Sequence, residues 1–268
     1  MQHPVNPFKL ALRQQRVQIG LWHGMGNAYV AEICASAGFD WMVIDAEHVP
    51  NTVPSILAQL QALAAYPVAP VVRPGWNDKV ELKQLLDIGA QNFLIPMIET
   101  AHEAEQAVRS VRYPPQGHRG VANALARAAK WGAVTDYLER ANEEICVLCQ
   151  VETARGLENL DDILSVEGVD GVFIGPADLS ASLGYINQPD HPEVLAVIDD
   201  MVRRVRAAGK APGILHGNVE QARRFIEQGV LFAAVGVDAG LLRRAATDLL
   251  SEFRGSPHPG RSAPSVYG

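Results

Sequence analysis

The chain has 268 residues, 48% hydrophobic and 20% charged, enough for a sizeable core in one large α/β barrel or two small domains. Its net charge of −7 offers no basic surface for nucleic acid or anionic lipid, and no apolar run has the length of a membrane span. MQHPVNPFK at the start lacks the features of a signal peptide, and Cys34, Cys146 and Cys149 are too few for a disulfide framework, so a cytoplasmic setting is expected.

The first strand-like run is VQIGLWHG, from Val17. It leads into GMGNA at 24–28, which lacks the third glycine of a dinucleotide-binding turn. WMVIDAE, from Trp41, closes on Asp45, Glu47 and His48. VAPVVRP closes on Arg73, and NFLIPMI follows from Asn92. ICVLCQVE closes on Gln150 and Glu152, and GVFIGP runs on to Asp178. APGILHG ends near His216 and LFAAVGVD ends in Asp238.

Between these runs, VPSILAQLQALAA, KVELKQLLDIG, AHEAEQAVRSV and PEVLAVIDDMVRRVRAAG carry apolar residues at helical spacing with charges opposite. Eight strand patterns alternating with helices predict a (β/α)8 TIM barrel over residues 1–254. The tail GSPHPGRSAPSVYG, 255–268, reads as an irregular extension.

Barrel chemistry gathers at the C-terminal ends of strands. In the fifth strand Leu148, Gln150 and Glu152 share one face, so two polar residues point to the interior, while Cys146 and Cys149 face apart and read as packing residues. Glu152 and Asp178, on adjacent strands, can share a divalent cation such as Mg²⁺ or Mn²⁺, which favours oxygen ligands. A salt bridge from Glu152 to an inward arginine, and an N-cap role for Asp178 on a helix starting at Leu179, are the structural alternatives.

Arg73 places a fixed positive charge at the barrel mouth, either for an oxyanion or for a neighbouring carboxylate. His48 has the chemistry of an acid/base group, although a lone loop histidine is more often solvated. Lys9, Lys79, Lys83, Lys130 and Lys210 close no predicted strand, so carbanion chemistry here calls for a metal rather than an imine.

Taken in order, FDWMVIDAEH, PVVRP, RYPPQGHRGV, QVET and VEGVDGVFIGPADLS resemble the class II pyruvate aldolases of the HpcH/HpaI family, from about Gln18 to about Leu250. The resemblance implies a barrel of the phosphoenolpyruvate/pyruvate-domain type and reversible cleavage of 4-hydroxy-2-oxo acids to pyruvate and an aldehyde, with succinic semialdehyde expected. It implies a divalent metal (Mg²⁺, Mn²⁺ or Co²⁺) on Glu152 and Asp178, with Gln150 in support. Arg73 would stabilise the pyruvate enolate, His48 would act as acid/base group, and Asp87 would be its partner. Gly175, Pro176, Ala177 and Asp178 would receive the pyruvate carboxylate, with Leu215 and His216 beside the substrate.

The family's subunits commonly form hexamers that exchange a C-terminal helix, a role open here to LLRRAATDLLSEF and the tail. Ala46, Lys130 and His216 depart from the family pattern, the last two where the aldehyde half would bind. A sugar-acid aldolase acting on 2-keto-3-deoxy acids, or a barrel that binds an oxo acid without cleaving it, are the competing readings.

Overall fold

A computed structural model describes residues 3–254; the expected irregular tail, 255–268, lies outside them. The chain opens with a helix, α1 (Pro7–Arg13), and then alternates: β1 (Gln18–His23), α2 (Ala28–Ala35), β2 (Trp41–Asp45), α3 (Val53–Leu63), β3 (Ala69–Arg73), α4 (Lys79–Asp87) and β4 (Asn92–Ile95). The second half comprises α5 (Ala101–Val111), α6 (Tyr137–Glu144), β5 (Cys146–Val151), α7 (Ala154–Glu158), α8 (Leu160–Ser165), β6 (Gly171–Ile174), α9 (Pro176–Ser182), α10 (Pro192–Ala207), β7 (Ala211–Leu215), α11 (Val219–Glu227), β8 (Phe232–Val237) and α12 (Asp238–Arg254). Each of the eight strand-like runs forms a strand, and all pair in parallel, in sequence order, into a closed barrel.

Local chemistry sets the helix ends. Asp78 caps α4 by accepting from the Val80 and Glu81 N–H groups, and Thr100 and Glu103 form a reciprocal capping box on α5. The helices between strands, such as α3, α4, α5 and α10, then bury one stripe against the outer wall of the barrel.

The alternation of strand side chains separates two cores. Met42, Ile44, Val72, Val147, Cys149, Val151, Val172 and Ile174 face outward into the shell between strands and helices. Trp22, Trp41, Val43, Val71, Leu148, Phe173, Leu215 and Phe232 fill the interior, so the predicted facing of β5 holds and Cys146 and Cys149 lie on opposite sides. α1 closes the lower opening with Phe8 and Leu12; the Phe8 ring lies 5.8 Å from Trp41 and 6.0 Å from Phe232. Gly20 makes this packing possible, since a Cβ there would collide with the Trp41 ring.

The β1–β8 seam is irregular: Gly20 pairs with Ala234 but Trp22 with Val237, so β8 carries an extra residue. That slip brings Asp238 to the buried His23, Nδ1 to Oδ2 2.6 Å. Among the described residues no helix is long and apolar enough to cross a membrane. α12 leaves the barrel with Leu241, Leu242, Leu249, Leu250 and Phe253 exposed.

Candidate active site

The register of β2 and β3 sets Asp45 opposite Arg73, both on the interior face at the strand ends. Their side chains meet in a two-point contact, Arg73 Nε to Asp45 Oδ1 at 2.8 Å and Nη2 to Oδ2 at 2.7 Å. Arg73 Nη1 forms an ion pair with Glu47 Oε2 at 2.6 Å, and the guanidinium lies 4.5 Å from the centre of the Trp22 ring. The Trp22 indole N–H donates to Asp45 Oδ2 at 3.2 Å. Burial works against the Asp45 carboxylate, but hydrogen bonds and charge from Arg73 outweigh it and hold the group below its ordinary pKa. Of the two roles open to Arg73 in the sequence, the structure shows the pairing with neighbouring carboxylates.

Just past the end of β5, two strands along from Arg73, Glu152 is almost fully buried. Its Oε1 accepts from the Met97 N–H at 3.0 Å and its Oε2 from the Gln150 amide. Gly175 closes against it, since a Cβ there would stand 2.8 Å from Glu152 Cβ. Burial pushes the Glu152 pKa up to about 7, opposed by the Met97 N–H and assisted by the charges of Glu47 and Asp178. Burial likewise raises Glu47, with Arg73 and His48 opposing and Asp45 and Asp178 adding. No ion pair joins Glu152 to an arginine among the described residues, so its structural alternative is not seen.

The structure sets aside the cap alternative for Asp178. Pro176 opens α9 three residues before Leu179 and Gly175 is the N-cap, so Asp178 lies in the first turn as an exposed carboxylate. Proline at the first helical position, already holding a helical φ, accounts for the earlier start.

These residues fit a hard divalent cation. Glu152 and Asp178 are oxygen donors, the charge of Asp178 adds to the cost of ionising Glu152, and Gln150 Oε1 is buried without a hydrogen-bond partner. Among the described residues no set of three or more His, Cys, Asp and Glu side chains is arranged to hold a metal. Two carboxylates with water and substrate completing the shell is the pattern such cations accept.

Other expected site residues are dispersed. His48 is exposed at the mouth, its Nε2 3.9 Å from Glu47 Oε2. Asp87 is not its partner within this chain: it ends α4, nine residues and so about 13 Å below the strand ends. There it accepts from Arg119 Nη2 at 3.0 Å. His216 continues the outward face of β7, contacting Asp190 Oδ1 through Nε2 at 3.0 Å and the Phe225 ring at 5.8 Å, so it stands behind the wall that Leu215 forms. Lys130 lies in the α5–α6 loop beside the lower ends of β3 and β4, with Val68 and Gln91, away from the mouth.

Asp45, Glu47, Trp22 and Met97 had no assigned role. The interior parity of Trp22 and Asp45 was a usable signal; the left-handed backbone of Met97 leaves none in a non-glycine residue.

The HpcH/HpaI aldolase/citrate lyase family model matches residues 18–245. The chain is 58% identical over 248 residues to the 4-hydroxy-2-oxo-heptane-1,7-dioate aldolase of Shigella sonnei, covering 92% of this chain and 95% of that protein. It is also 58% identical over 248 residues to the protein of the same name from Klebsiella pneumoniae, covering 92% and 94%. Among solved structures, an HpcH/HpaI aldolase/citrate lyase family protein from Burkholderia cenocepacia superimposes with a TM-score of 0.90 at 40% identity, over 93% of this chain and 100% of that one.

Proposed function

The chain belongs to the HpcH/HpaI aldolase/citrate lyase family, and from that premise we propose that it cleaves 4-hydroxy-2-oxoheptanedioate reversibly to pyruvate and succinic semialdehyde. It is a carbon–carbon lyase. The observation that carries the mechanism is the clamped Arg73, a cation fixed in direction by Asp45, Glu47 and Trp22, two strands along the barrel from Glu152.

Glu152 and Asp178 would hold a divalent cation, Mg²⁺, Mn²⁺ or Co²⁺, with Gln150 in support. When bound, it supplies an electrophile that draws electrons from the 2-oxo group. Backbone groups of Gly175, Pro176 and Ala177, with Asp178, would frame the pyruvate half, and Leu215 would bound the acceptor side.

In cleavage, His48 takes the proton of the 4-hydroxyl, the C3–C4 bond breaks, and C4 becomes the aldehyde carbon. The bond's electron pair becomes the pyruvate enolate. Arg73, held in place by Asp45 and Glu47, would stabilise that developing charge with little reorganisation. The proton held by His48 is then returned to the enolate at C3, which completes pyruvate and restores the base, and condensation is the reverse path.

Assembly belongs to the same reading. The exposed leucines and Phe253 of α12 fit a homo-oligomer, a hexamer by the family pattern, acting in the cytoplasm on small molecules.

Pyruvate release measured after EDTA treatment, then with Mg²⁺, Mn²⁺ or Co²⁺ restored, tests the metal requirement. Full activity in the stripped protein would overturn it. An acceptor panel of succinic semialdehyde, tartronate semialdehyde and lactaldehyde tests the substrate, and preference for either of the last two would move the assignment to a sugar-acid aldolase.

A further inference from the structure

β4 pairs regularly with β5 as far as Ile95, opposite Cys149. Two residues later Met97 adopts a left-handed backbone, φ +55°, in which a Cβ crowds the neighbouring carbonyl and which glycine or asparagine takes at less cost. In extended chain, successive N–H groups point to opposite sides. Here two successive ones turn towards the end of β5: Met97 N–H donates to Glu152 Oε1 and Ile98 N–H to Gln150 O, each at 3.0 Å. Pro96, just before them, has no N–H to contribute.

Glu152 is consequently held at both oxygens, Oε1 by the Met97 main chain and Oε2 by the Gln150 amide, with Gly175 against its stem. The Met97 side chain is only half-buried, so its packing does not account for the backbone conformation.

We propose that Met97 is a positioning residue: its left-handed backbone aims a main-chain N–H at Glu152 Oε1 and fixes the rotation of that carboxylate for a divalent cation. This rests on reading Glu152 as a cation ligand. The Met97 side chain has no part in it; the conformation of one peptide does.

The test is Mn²⁺ binding by the metal-stripped full-length chain, measured by calorimetry for wild type, Met97→Gly, Met97→Asn, Met97→Val and Glu152→Gln. Glycine and asparagine keep the turn at no cost and retain the wild-type Kd. The β-branched valine resists it, and Met97→Val, folded by circular dichroism, binds roughly 10- to 100-fold more weakly, the range for lost support of a ligand. A folded Met97→Val with the wild-type Kd overturns the proposal, as does equal weakening by glycine and asparagine.

Should Met97→Val fail to fold, the ¹⁵N-methionine-labelled wild type gives a second readout. Adding Mg²⁺ shifts the Met97 amide resonance, assigned by its loss in Met97→Gly; an unmoved resonance overturns the proposal. If Glu152→Gln binds Mn²⁺ as well as wild type, the ligand reading itself fails. If it loses Mn²⁺ while Met97→Val does not, only the positioning role fails.

Discussion

Asp45 and Arg73 face each other across one rung of the β2–β3 ladder and share two hydrogen bonds inside the barrel mouth. Glu47 takes the remaining terminal nitrogen of Arg73, so the guanidinium is held in a single orientation by a fork that only arginine provides.

Lysine cannot reproduce that fork. Arg73→Lys is expected to lower kcat for pyruvate release by roughly 10²- to 10³-fold, the scale for losing a preorganised oxyanion donor, while Mn²⁺ affinity stays unchanged. Steady-state kinetics beside calorimetry separate the two quantities. Wild-type kcat in the variant would remove Arg73 from the enolate role.

Asp45→Asn should weaken both fold and catalysis. Breaking a buried ion pair by removing one partner costs about 3–5 kcal/mol, and Glu47, still in place, brings the expected loss to the lower end. Urea unfolding at neutral pH reads the stability, and kcat should fall as Arg73 gains freedom. No change in either would mean that Glu47 and Trp22 suffice to hold Arg73.

Leu215 and His216 are neighbours with opposite facing, so their variants should differ in kind. Leu215→Ala enlarges the interior and is expected to shift the KM for aldehyde acceptors by roughly 10-fold, within the range of hydrophobic pocket changes. His216→Leu removes a contact to Asp190 behind the wall and should leave the ranking of acceptors as it was. An altered ranking in His216→Leu would place the imidazole in the substrate's path.

Acid stability should report on the β1–β8 seam. Burial of Asp238 is outweighed by its hydrogen bonds from His23 and the Gly24 N–H, which hold the folded carboxyl below its ordinary value. The unfolded chain then binds more protons in acid, so stability rises with pH there. The contribution is complete above the unfolded pKa, about 4, and is lost as pH falls through the folded value. Asp238→Asn should lower the urea midpoint at pH 6 and flatten its decline from pH 5 to pH 3. An equally steep decline in the variant would assign that slope to other carboxyls, Asp45 first.

The barrel was legible because each strand is a short apolar or β-branched run between helical patterns, and the eightfold alternation leaves few ways to arrange them. The inward facing of Gln150 and Glu152 followed from strand parity alone. The Asp45–Arg73 contact was not legible, since it depends on the register between strands whose residues stand 28 positions apart. The His23–Asp238 pair depends on how the first and last strands close, through a bulge no local pattern announces. The cap offered as the alternative for Asp178 is taken by Gly175, because Pro176 starts the helix early. For Asp87, adjacency in the family pattern did not translate into adjacency within one chain: α4 carries it to the other end of the barrel.

The opposite facing of Cys146 and Cys149 gives the protein a chemical reporter. Both sulfurs are fully buried, and burial raises both thiols, Cys149 to about 12, whereas Cys34 is half-buried on α2. A maleimide should therefore modify the native chain once, slowly, at Cys34, and modify it at all three cysteines only when the barrel opens. Counting added label by mass then times the opening of the barrel interior, at Cys146, and of the helical shell, at Cys149, with no engineered probe.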